Sequence, residues 1–309
     1  MTWIGITDHE DGRFSKPGLG DKKAARKPGP LLERGTLMFE TEVAGPANDG
    51  RTQTLRVTYA WDAPEGWGRL ALERPEGNRI ISRPVHMPRP FLTEDMRDIV
   101  LAHPARTLAS EVLFAAVTTD IQPVGPMPSL HPKTPIATST GYRAAGTLQR
   151  GDTVVTETGD IVPVLHAVRQ TVPARGSFAP VRLRAHYFGL HRDIVVAPEQ
   201  RLVLKGSEVE YIFGQEAVLI PARHLVNGHA AIWCDTSSTT EYVQLVLPGQ
   251  EPLMAAGCTL ESLYIGRIRR DQERLDASVL ADIPSRLLPE HARPIHQVLG
   301  PFEAITLVE

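Results

Sequence analysis

The chain has 309 residues, which is enough for about two domains of ordinary size. Hydrophobic residues make up 42% of it and charged residues 22%, and the formal net charge is −3, as in an ordinary globular protein. Binding to nucleic acid or to an anionic membrane requires a basic surface, so this balance of charges excludes both as expected partners.

The sequence also bears on where the protein acts. No run of apolar residues approaches the roughly 18 that a membrane-spanning helix needs. The N-terminus, MTWIGITDHEDGRF, carries acidic residues early and has no apolar core of signal-peptide length. We therefore expect a cytoplasmic protein, or one that is exported without an N-terminal signal peptide.

The two cysteines, Cys234 and Cys258, do not form a C-x-x-C motif and have no histidines at ligand spacing around them. This pattern predicts two free thiols, with a single disulfide as the alternative, and no zinc site. No other pattern in the sequence indicates a metal or a cofactor, so we expect neither.

Residues 1–34 differ in composition from the rest of the chain. A short apolar fragment around Trp3 is followed by SKPGLGDKKAARKPGP, in which Lys, Gly and Pro dominate and little can be buried. We predict a mobile N-terminal segment whose first residues add a stray strand to the neighbouring sheet.

Residues 35–122 have the pattern of short antiparallel strands. The runs TLMFETEV, QTLRVTYAW, RLALERP and RIISRP are separated by Gly, Asn, Asp and Pro. Alternation is clearest at Leu55, Val57 and Tyr59, which share one face of a strand. A helix capped by Thr93 and a final strand complete the segment. We predict an antiparallel β-sandwich-like module.

Three aromatic residues of this module, Tyr59, Trp61 and Trp67, are close in sequence around the turn APEGWG. Aromatic platforms on β-modules bind sugars, so one interpretation is a carbohydrate or ligand site. The alternative is that these side chains pack in the core and against the adjoining loop.

Residues 123–309 begin with a proline-rich stretch that excludes helix. A strand at 136–138 and a turn at 139–141 then predict a hairpin. Further β-runs lie at 162–169, 181–184, 194–196, 202–204, 217–221 and 242–247. In the last of these, Tyr242-Val243-Gln244-Leu245 alternates as a half-exposed antiparallel strand does. Residues 261–270 and 274–288 have the pattern of short amphipathic helices, and PFEAITLVE that of a closing strand. The predicted fold class is all-β with short C-terminal helices.

One stretch, from Ser129 to Thr156, carries a motif that goes beyond β-structure. It contains T-x-I-x-T-x-x-G followed by L-x-x-G-D-x-V-x-T, formed by Thr134, Ile136, Thr138, Gly141, Leu148, Gly151, Asp152, Val154 and Thr156. This block resembles the opening of Hint domains, the hedgehog/intein autoprocessing fold. In that family a nucleophile, usually Cys, stands five residues before the first Thr, and here that position is Ser129.

The resemblance extends to the residues that assist self-cleavage in the family. IVVAPEQRLVL, residues 194–204, resembles its T-x-x-H block, with Ala197 at the position of the usual Thr and Gln200 at that of the usual His. A carboxamide cannot exchange a proton near neutral pH as an imidazole can. The resemblance therefore implies a Hint scaffold whose catalytic positions are degenerate.

Two later blocks, residues 216–226 and 242–266, resemble the bacterial branch of the family in which the Hint domain closes the chain. Gln250 occupies the position of a usual His in the second block. His224, in the first, is either a surviving base or a packed or surface histidine. The match covers about residues 129–270, and the first 120 residues have no part in it.

Three functions remain open at this stage. The first is a degenerate autoprocessing domain that acts as a scaffold or interaction module. The second is an active variant that cleaves the bond between Pro128 and Ser129 by an N-to-O acyl shift. The third is a carbohydrate- or ligand-binding module in residues 35–122. The expected partner is an unidentified protein or glycan.

Overall fold

The computed structural model describes residues 4–5, 30–44, 52–75, 79–101, 107–234 and 238–308. Strands make up most of the regular structure and the helices are short, so the predicted all-β class is confirmed. The chain divides into two compact units, Met1–Val124 and Gly125–Glu309. Most of the predicted mobile segment 1–34 lies outside the described residues. Within the described ranges, no helix is long and apolar enough to span a membrane.

The N-terminal unit consists of the following elements: β1 Ile4–Gly5, β2 Leu31–Leu32, β3 Arg34–Ala44, β4 Thr52–Asp62, β5 Trp67–Arg74, β6 Arg79–His86, β7 Phe91–Leu92, α1 Thr93–Val100 and β8 Val112–Thr118. Six strands form one antiparallel sheet with the order β1-β8-β3-β4-β5-β6, and β2 pairs with β7. The pairing of β1 with β8 confirms that the first residues add a short strand.

The layer that covers this sheet is a helix. α1 places Met96 and Val100 in one buried cluster with Leu37 and Trp61. Trp61 is fully buried, and its indole N–H donates to the carbonyl oxygen of Leu32 at 3.1 Å. Two apolar residues one helical turn apart give α1 a stripe that fits the face of a sheet. The expected sandwich-like packing therefore takes the form of one sheet covered by α1, instead of two full sheets.

Helix α1 begins at Thr93, but the predicted cap is wrong. The N-cap residue is Leu92, which has no polar side chain, and no side chain caps the helix there. The Thr93 hydroxyl donates instead to the carbonyl oxygen of Pro30 at 3.0 Å. Glu94 and Asp95 lie in the first turn, where negative charge is favourable.

A buried row of charges crosses three strands of the N-terminal sheet. Glu40 of β3, Arg56 of β4 and Glu73 of β5 are neighbours in the strand register. Arg56 Nε lies 3.3 Å from Glu40 Oε2, and Arg56 Nη1 lies 3.6 Å from Glu73 Oε2. Because these side chains are at most 7% exposed, the guanidinium compensates two carboxylates that water does not reach.

The C-terminal unit consists of the following elements: β9 Pro135–Thr138, β10 Gly141–Ala144, β11 Thr153–Val155, β12 Ile161–Pro163, β13 His166–Pro173, β14 Val181–Leu183, β15 Ile194–Val196, β16 Arg201–Lys205, α2 Ser207–Phe213, β17 Ala217–Pro221, β18 Ala231–Trp233, β19 Thr239–Val246, β20 Leu253–Ala255, β21 Cys258–Leu260, α3 Gln272–Asp276, β22 Gln297–Val298 and α4 Pro301–Val308. The largest sheet has the order β10-β9-β20-β21-β16-β17-β22. Smaller sheets are β15-β14-β18, β13-β19 and β11-β12.

The predicted hairpin after the proline-rich stretch is confirmed, since β9 and β10 pair from Thr138↔Gly141 onward. Gly141 has φ 109° in this turn, a value that a residue with a side chain rarely adopts. Just before the hairpin, Leu130 is fully buried and bridges Val196 and Val243. This bridge fixes the backbone of Ser129 between the end of β15 and the strand β19.

Predictions for the C-terminal end are partly wrong. Residues 261–270 contain only a 3-10 turn at Ile268–Arg270, and the predicted closing strand is the helix α4. Pro301 is the first helical residue, and the backbone N–H of Gly300 donates to Glu303 Oε2 at 2.7 Å. Proline at the first position and glutamate at the third are start signals of a helix, and they prevail over the β-branched residues that follow.

The buried row of charges predicts that the N-terminal unit loses much of its stability when Arg56 is replaced by an uncharged residue. We expect Arg56→Met to lower the free energy of unfolding of the N-terminal unit by about 3 to 5 kcal/mol, because the guanidinium that pairs with the buried carboxylates of Glu40 and Glu73 is removed. Arg34→Met is the matched control, since the Arg34 side chain is 61% exposed in its pair with Asp62. Its cost should be below about 1 kcal/mol.

The measurement is urea denaturation followed by tryptophan fluorescence in a Trp233→Phe background. The other three tryptophans, Trp3, Trp61 and Trp67, all belong to the N-terminal unit. Equal effects of the two substitutions would contradict the assigned role of Arg56.

Candidate functional site

A tight turn after β15 brings Gln200 to the side chain of Ser129. The backbone N–H of Ala197 donates to the Ser129 carbonyl oxygen at 2.7 Å, and the N–H of Gln200 donates to the Ala197 carbonyl oxygen at 3.0 Å. Pro198 fits the first central position of such a turn because its ring fixes φ there. The turn is therefore anchored directly to the backbone of Ser129.

The orientation of the Gln200 carboxamide follows from its surroundings. Its Nε2 donates to the carbonyl oxygens of Arg201, at 2.8 Å, and of Glu261, at 3.1 Å. Carbonyl oxygens only accept, so the amide NH₂ must face them and Oε1 is left pointing the other way. Oε1 accepts a hydrogen bond of 2.6 Å from the Ser129 hydroxyl. The hydroxyl proton of Ser129 is thus directed at an amide oxygen.

A second carboxamide, that of Gln244 in β19, completes this contact. Gln244 Nε2 lies 3.0 Å from Ser129 Oγ and 2.9 Å from Gln200 Oε1, and it is the donor in both contacts. Gln244 Oε1 accepts from the backbone N–H of Leu245 at 3.2 Å. Ser129 Oγ therefore donates to one carboxamide and accepts from the other, in a closed arrangement of three side chains.

The three side chains are buried and carry no charge. Ser129 is 8% exposed, and Gln200 and Gln244 are each 2% exposed. Among the described residues, Gln200 and Gln244 are the only side-chain partners of Ser129. Neither carboxamide takes up or releases a proton near neutral pH. The site can hold a hydroxyl group in a fixed orientation, but the groups in contact with Ser129 include no general base or acid.

Gln250 lies in a neighbouring hydrogen-bonded group and does not contact Ser129. Its Nε2 donates to Glu261 Oε1, and Arg201 Nη1 donates to both oxygens of the same carboxylate at 3.2 Å each. Burial is the main influence on Glu261 and raises the pKa of its carboxyl group, against the lowering effect of Arg201 and Gln250. The group touches the Ser129 site through two backbone carbonyl oxygens: that of Glu261, which Gln200 and Gln244 contact, and that of Arg201, which Gln200 contacts.

Only some of the four predicted site residues therefore meet at Ser129. Ser129 and Gln200 are in direct side-chain contact, and Ala197 contributes its backbone N–H, since its methyl group offers no hydrogen bond. Gln250 binds the Glu261 carboxylate and does not reach Ser129.

Sequence reasoning missed Gln244, because the alternation of β19 predicted a half-exposed strand. That prediction is wrong: β19 is buried from Tyr242 through Val246. The available signal was a glutamine within a run that is otherwise apolar, since a buried carboxamide requires partners.

The family model described as "Hint domain" matches residues 128–267. These residues form a Hint domain. The match begins one residue before Ser129 and includes Ala197, Gln200, Gln244, Gln250 and Glu261. It leaves the N-terminal sheet and the last part of the chain, including β22 and α4, outside.

Solved structures of inteins and intein-like proteins are similar to this chain at low identity. The gp41-1 intein is 14% identical, with a TM-score of 0.29 over 44% of this chain and 98% of that chain. The MchDnaB-1 intein is 17% identical, with a TM-score of 0.30 over 43% and 98%. The bacterial intein-like domain from Clostridium thermocellum is 14% identical, with a TM-score of 0.33 over 44% and 99%. No curated protein is significantly similar in sequence.

His224, the candidate surviving base of the Hint domain, lies in a 3-10 turn at Ala222–Leu225. Its Nε2 accepts from Arg223 Nε at 2.9 Å. Burial and the neighbouring Arg223 lower its pKa to about 4. The ring is therefore neutral at physiological pH, and it makes no hydrogen bond to Ser129 in the described structure. This placement agrees with a packed histidine.

The aromatic cluster outside the Hint domain does not form an open platform. Tyr59 stacks on Trp61 with ring centroids 5.5 Å apart, and Phe91 meets Trp61 edge-on at 4.9 Å. Trp61 has no exposed surface, whereas Trp67 is 39% exposed and has the Arg69 guanidinium over its ring. One exposed indole with a cation above it leaves little surface on which a sugar could stack.

The described residues contain no group of three or more His, Cys, Asp or Glu side chains that could hold a metal ion. The cysteines are both free, as predicted: Cys258 is buried and Cys234 partly exposed. Burial raises the pKa of the Cys258 thiol to about 12, so it is not a thiolate at neutral pH.

The raised pKa of Glu261 predicts how the free energy of unfolding of the domain changes with pH. The folded domain keeps this proton at pH values where the unfolded chain has released it. The stabilisation of the folded domain by this retained proton is therefore present at acidic pH. It is lost as the pH rises from about the ordinary carboxyl pKa of 4.5 through the raised pKa. We expect the difference in free energy of unfolding, wild type minus Glu261→Gln, to fall as pH rises from about 4.5 to 7.

Urea denaturation followed by circular dichroism at each pH measures this difference. The N-terminal unit is identical in both proteins and cancels in the subtraction. A difference that grows with pH would mean that Arg201 and Gln250 outweigh burial and that the pKa is lowered.

Proposed function

We propose that residues 128–267 are a Hint domain that no longer cleaves its own chain and is retained as a folded scaffold or interaction module. The observation that carries this proposal is the contact set of Ser129. Its hydroxyl donates to the Gln200 carboxamide at 2.6 Å and accepts from the Gln244 carboxamide at 3.0 Å. Both contacts orient the hydroxyl, and neither activates it.

Self-cleavage by an N-to-O acyl shift has definite requirements. Ser129 Oγ must form a bond to the carbonyl carbon of Pro128, the bond from that carbon to the Ser129 nitrogen must break, and the hydroxyl proton must reach the departing amine. Water must then hydrolyse the resulting ester to separate residues 1–128 from residues 129–309. A base has to accept the proton and an acid has to deliver it. Two carboxamides do neither, and the loss of general acid-base help slows a reaction by about 10² to 10⁴.

The other positions of the resemblance support the same conclusion. Ala197 has no hydroxyl group where the family usually has Thr, so only its backbone N–H faces Ser129. Gln250, at the position of a usual His, is bound to the Glu261 carboxylate instead of the site. Together with Gln200, Ala197 and Gln250 make three positions that have catalytic roles in the family and hold side chains here that cannot transfer protons.

We further propose that the domain belongs to the bacterial branch of the family that its later blocks resemble. The support is the block at residues 216–226, whose apolar part is the fully buried strand β17 and whose end is the 3-10 turn Ala222–Leu225. This block resembles the branch in sequence. It also forms part of the core of the C-terminal unit, since Val218, Ile220 and Leu225 belong to the main buried cluster.

The proposal predicts that the full-length chain stays intact. The purified protein is incubated overnight at neutral pH with and without hydroxylamine, which traps an ester at Ser129, and its intact mass is measured. We expect one mass corresponding to the full chain under both conditions, identical to the behaviour of Ser129→Ala.

Fragments 1–128 and 129–309 that form in the wild type and are absent in Ser129→Ala would contradict the proposal and favour the active variant. Hydroxylamine can also cut the Asn227–Gly228 bond, but those products have other masses and persist in Ser129→Ala.

A further inference from the structure

The last part of the chain adds a strand to the Hint domain although it lies outside the family match. β22 pairs in parallel with β17, with Val218 opposite Gln297 and Leu219 opposite Val298. The backbone N–H of Leu299 then donates to the Leu219 carbonyl oxygen at 2.8 Å. Residues 297–308, β22 with α4, are called the C-terminal segment below.

The helix of the C-terminal segment packs on the 3-10 turn Ala222–Leu225. Ala304 of α4 is fully buried and belongs to the same core cluster as Ala222 and Leu225. The adjacent side of α4 is open, with Ile305 49% exposed. The helix therefore has one docked side, whose centre is Ala304.

The same 3-10 turn is bonded to the turn that carries Gln200. The backbone N–H of Ala222 donates to the Gln200 carbonyl oxygen at 2.8 Å, and that of Arg223 donates to the Pro198 carbonyl oxygen at 3.0 Å. The Arg223 guanidinium also forms an ion pair with Glu199. Every residue from Pro198 to Gln200 is thereby tied to the turn on which α4 packs.

From these contacts we infer that the C-terminal segment is a positioning element of the site: docked α4 holds the turn at Ala222–Leu225, which in turn holds Gln200 against Ser129. Undocking of α4 frees the turn at residues 197–200 and loosens the contact between the Gln200 carboxamide and the Ser129 hydroxyl. The segment therefore controls how firmly Ser129 is held.

The attachment of the segment is of a kind that opens locally. β22 has only two residues, and residues 292–295, which lead into it, are all exposed. Upstream, His291 is 2% exposed and its backbone N–H donates to the Gly266 carbonyl oxygen at 2.9 Å, so the chain is fixed at that point. The segment contributes Leu299 and Ala304 to the main buried cluster, but as a terminal element that pairs through two strand residues it opens at a lower free energy than the central strands do. The segment can move about this fixed point while the domain stays folded.

This inference rests on the proposed function in one respect, namely that Ser129 and Gln200 form the site. It does not depend on whether the chain cleaves itself, because it concerns only how the site is held. A test by hydrogen exchange therefore gives an answer even if self-cleavage is observed, and the two results are distinguishable.

The test is amide hydrogen exchange of the full chain in two matched variants. Ala304→Asp places a charge at the docked side of α4, and Ile305→Asp places the same charge one residue later on the open side. The amides to follow are that of Ala197, bonded to the Ser129 carbonyl oxygen, and that of Ala222, bonded to the Gln200 carbonyl oxygen. The strand β13 serves as the internal reference.

We expect exchange at Ala197 and Ala222 to be at least about tenfold faster in Ala304→Asp than in Ile305→Asp, with β13 unchanged. A chain that ends at Gly300 removes α4 without burying a charge and should give the same pattern. Equal exchange at Ala197 in the matched pair would overturn the inference, even if Ala222 exchanges faster. Faster exchange throughout β13 in Ala304→Asp and in the shortened chain would also overturn it, because α4 would then stabilise the whole unit.

Discussion

The hydrogen bond from the Ser129 hydroxyl to the Gln200 carboxamide is the interaction on which the arrangement of the site depends. It closes a group of three buried, uncharged side chains in which every donor has an acceptor. Because Gln200 and Gln244 are each 2% exposed, water cannot replace a lost partner. A buried polar group without a partner costs about 1 to 3 kcal/mol, so the three residues hold one another in place.

The same reasoning explains why a carboxamide suits position 200. Gln200 donates from a single NH₂ group to the carbonyl oxygens of Arg201 and Glu261, which also accept from the Glu261 backbone N–H and from Gln244 Nε2, respectively. An apolar residue would leave both carbonyl oxygens without that donor, and a charged one would have to be desolvated. Gln200 therefore has a structural role of its own, and a side chain that satisfies the fold need not be one that transfers protons.

The parts of the fold and of the site that depend on local sequence signals could be predicted from the sequence. The hairpin β9–β10 follows from its small polar turn, and the dispersed blocks from Ser129 onward indicated a Hint scaffold with Gln200 near Ser129. Gln244 and Glu261 could not be placed, since their contacts depend on how β19 and β21 pack against the turn at 197–200. The helix α4 was missed for a different reason: its β-branched residues concealed the start signal of Pro301 and Glu303.

We propose that the uncharged surroundings of Ser129 prevent self-cleavage. The most direct measurement is the rate at which full-length chains carrying Ser129→Cys, Gln200→His or both substitutions convert to fragments 1–128 and 129–309, followed by intact mass. The account predicts cleavage only in the double variant, because a better nucleophile alone still faces carboxamides that transfer no proton. Cleavage of the Ser129→Cys chain at the rate of the double variant would contradict it.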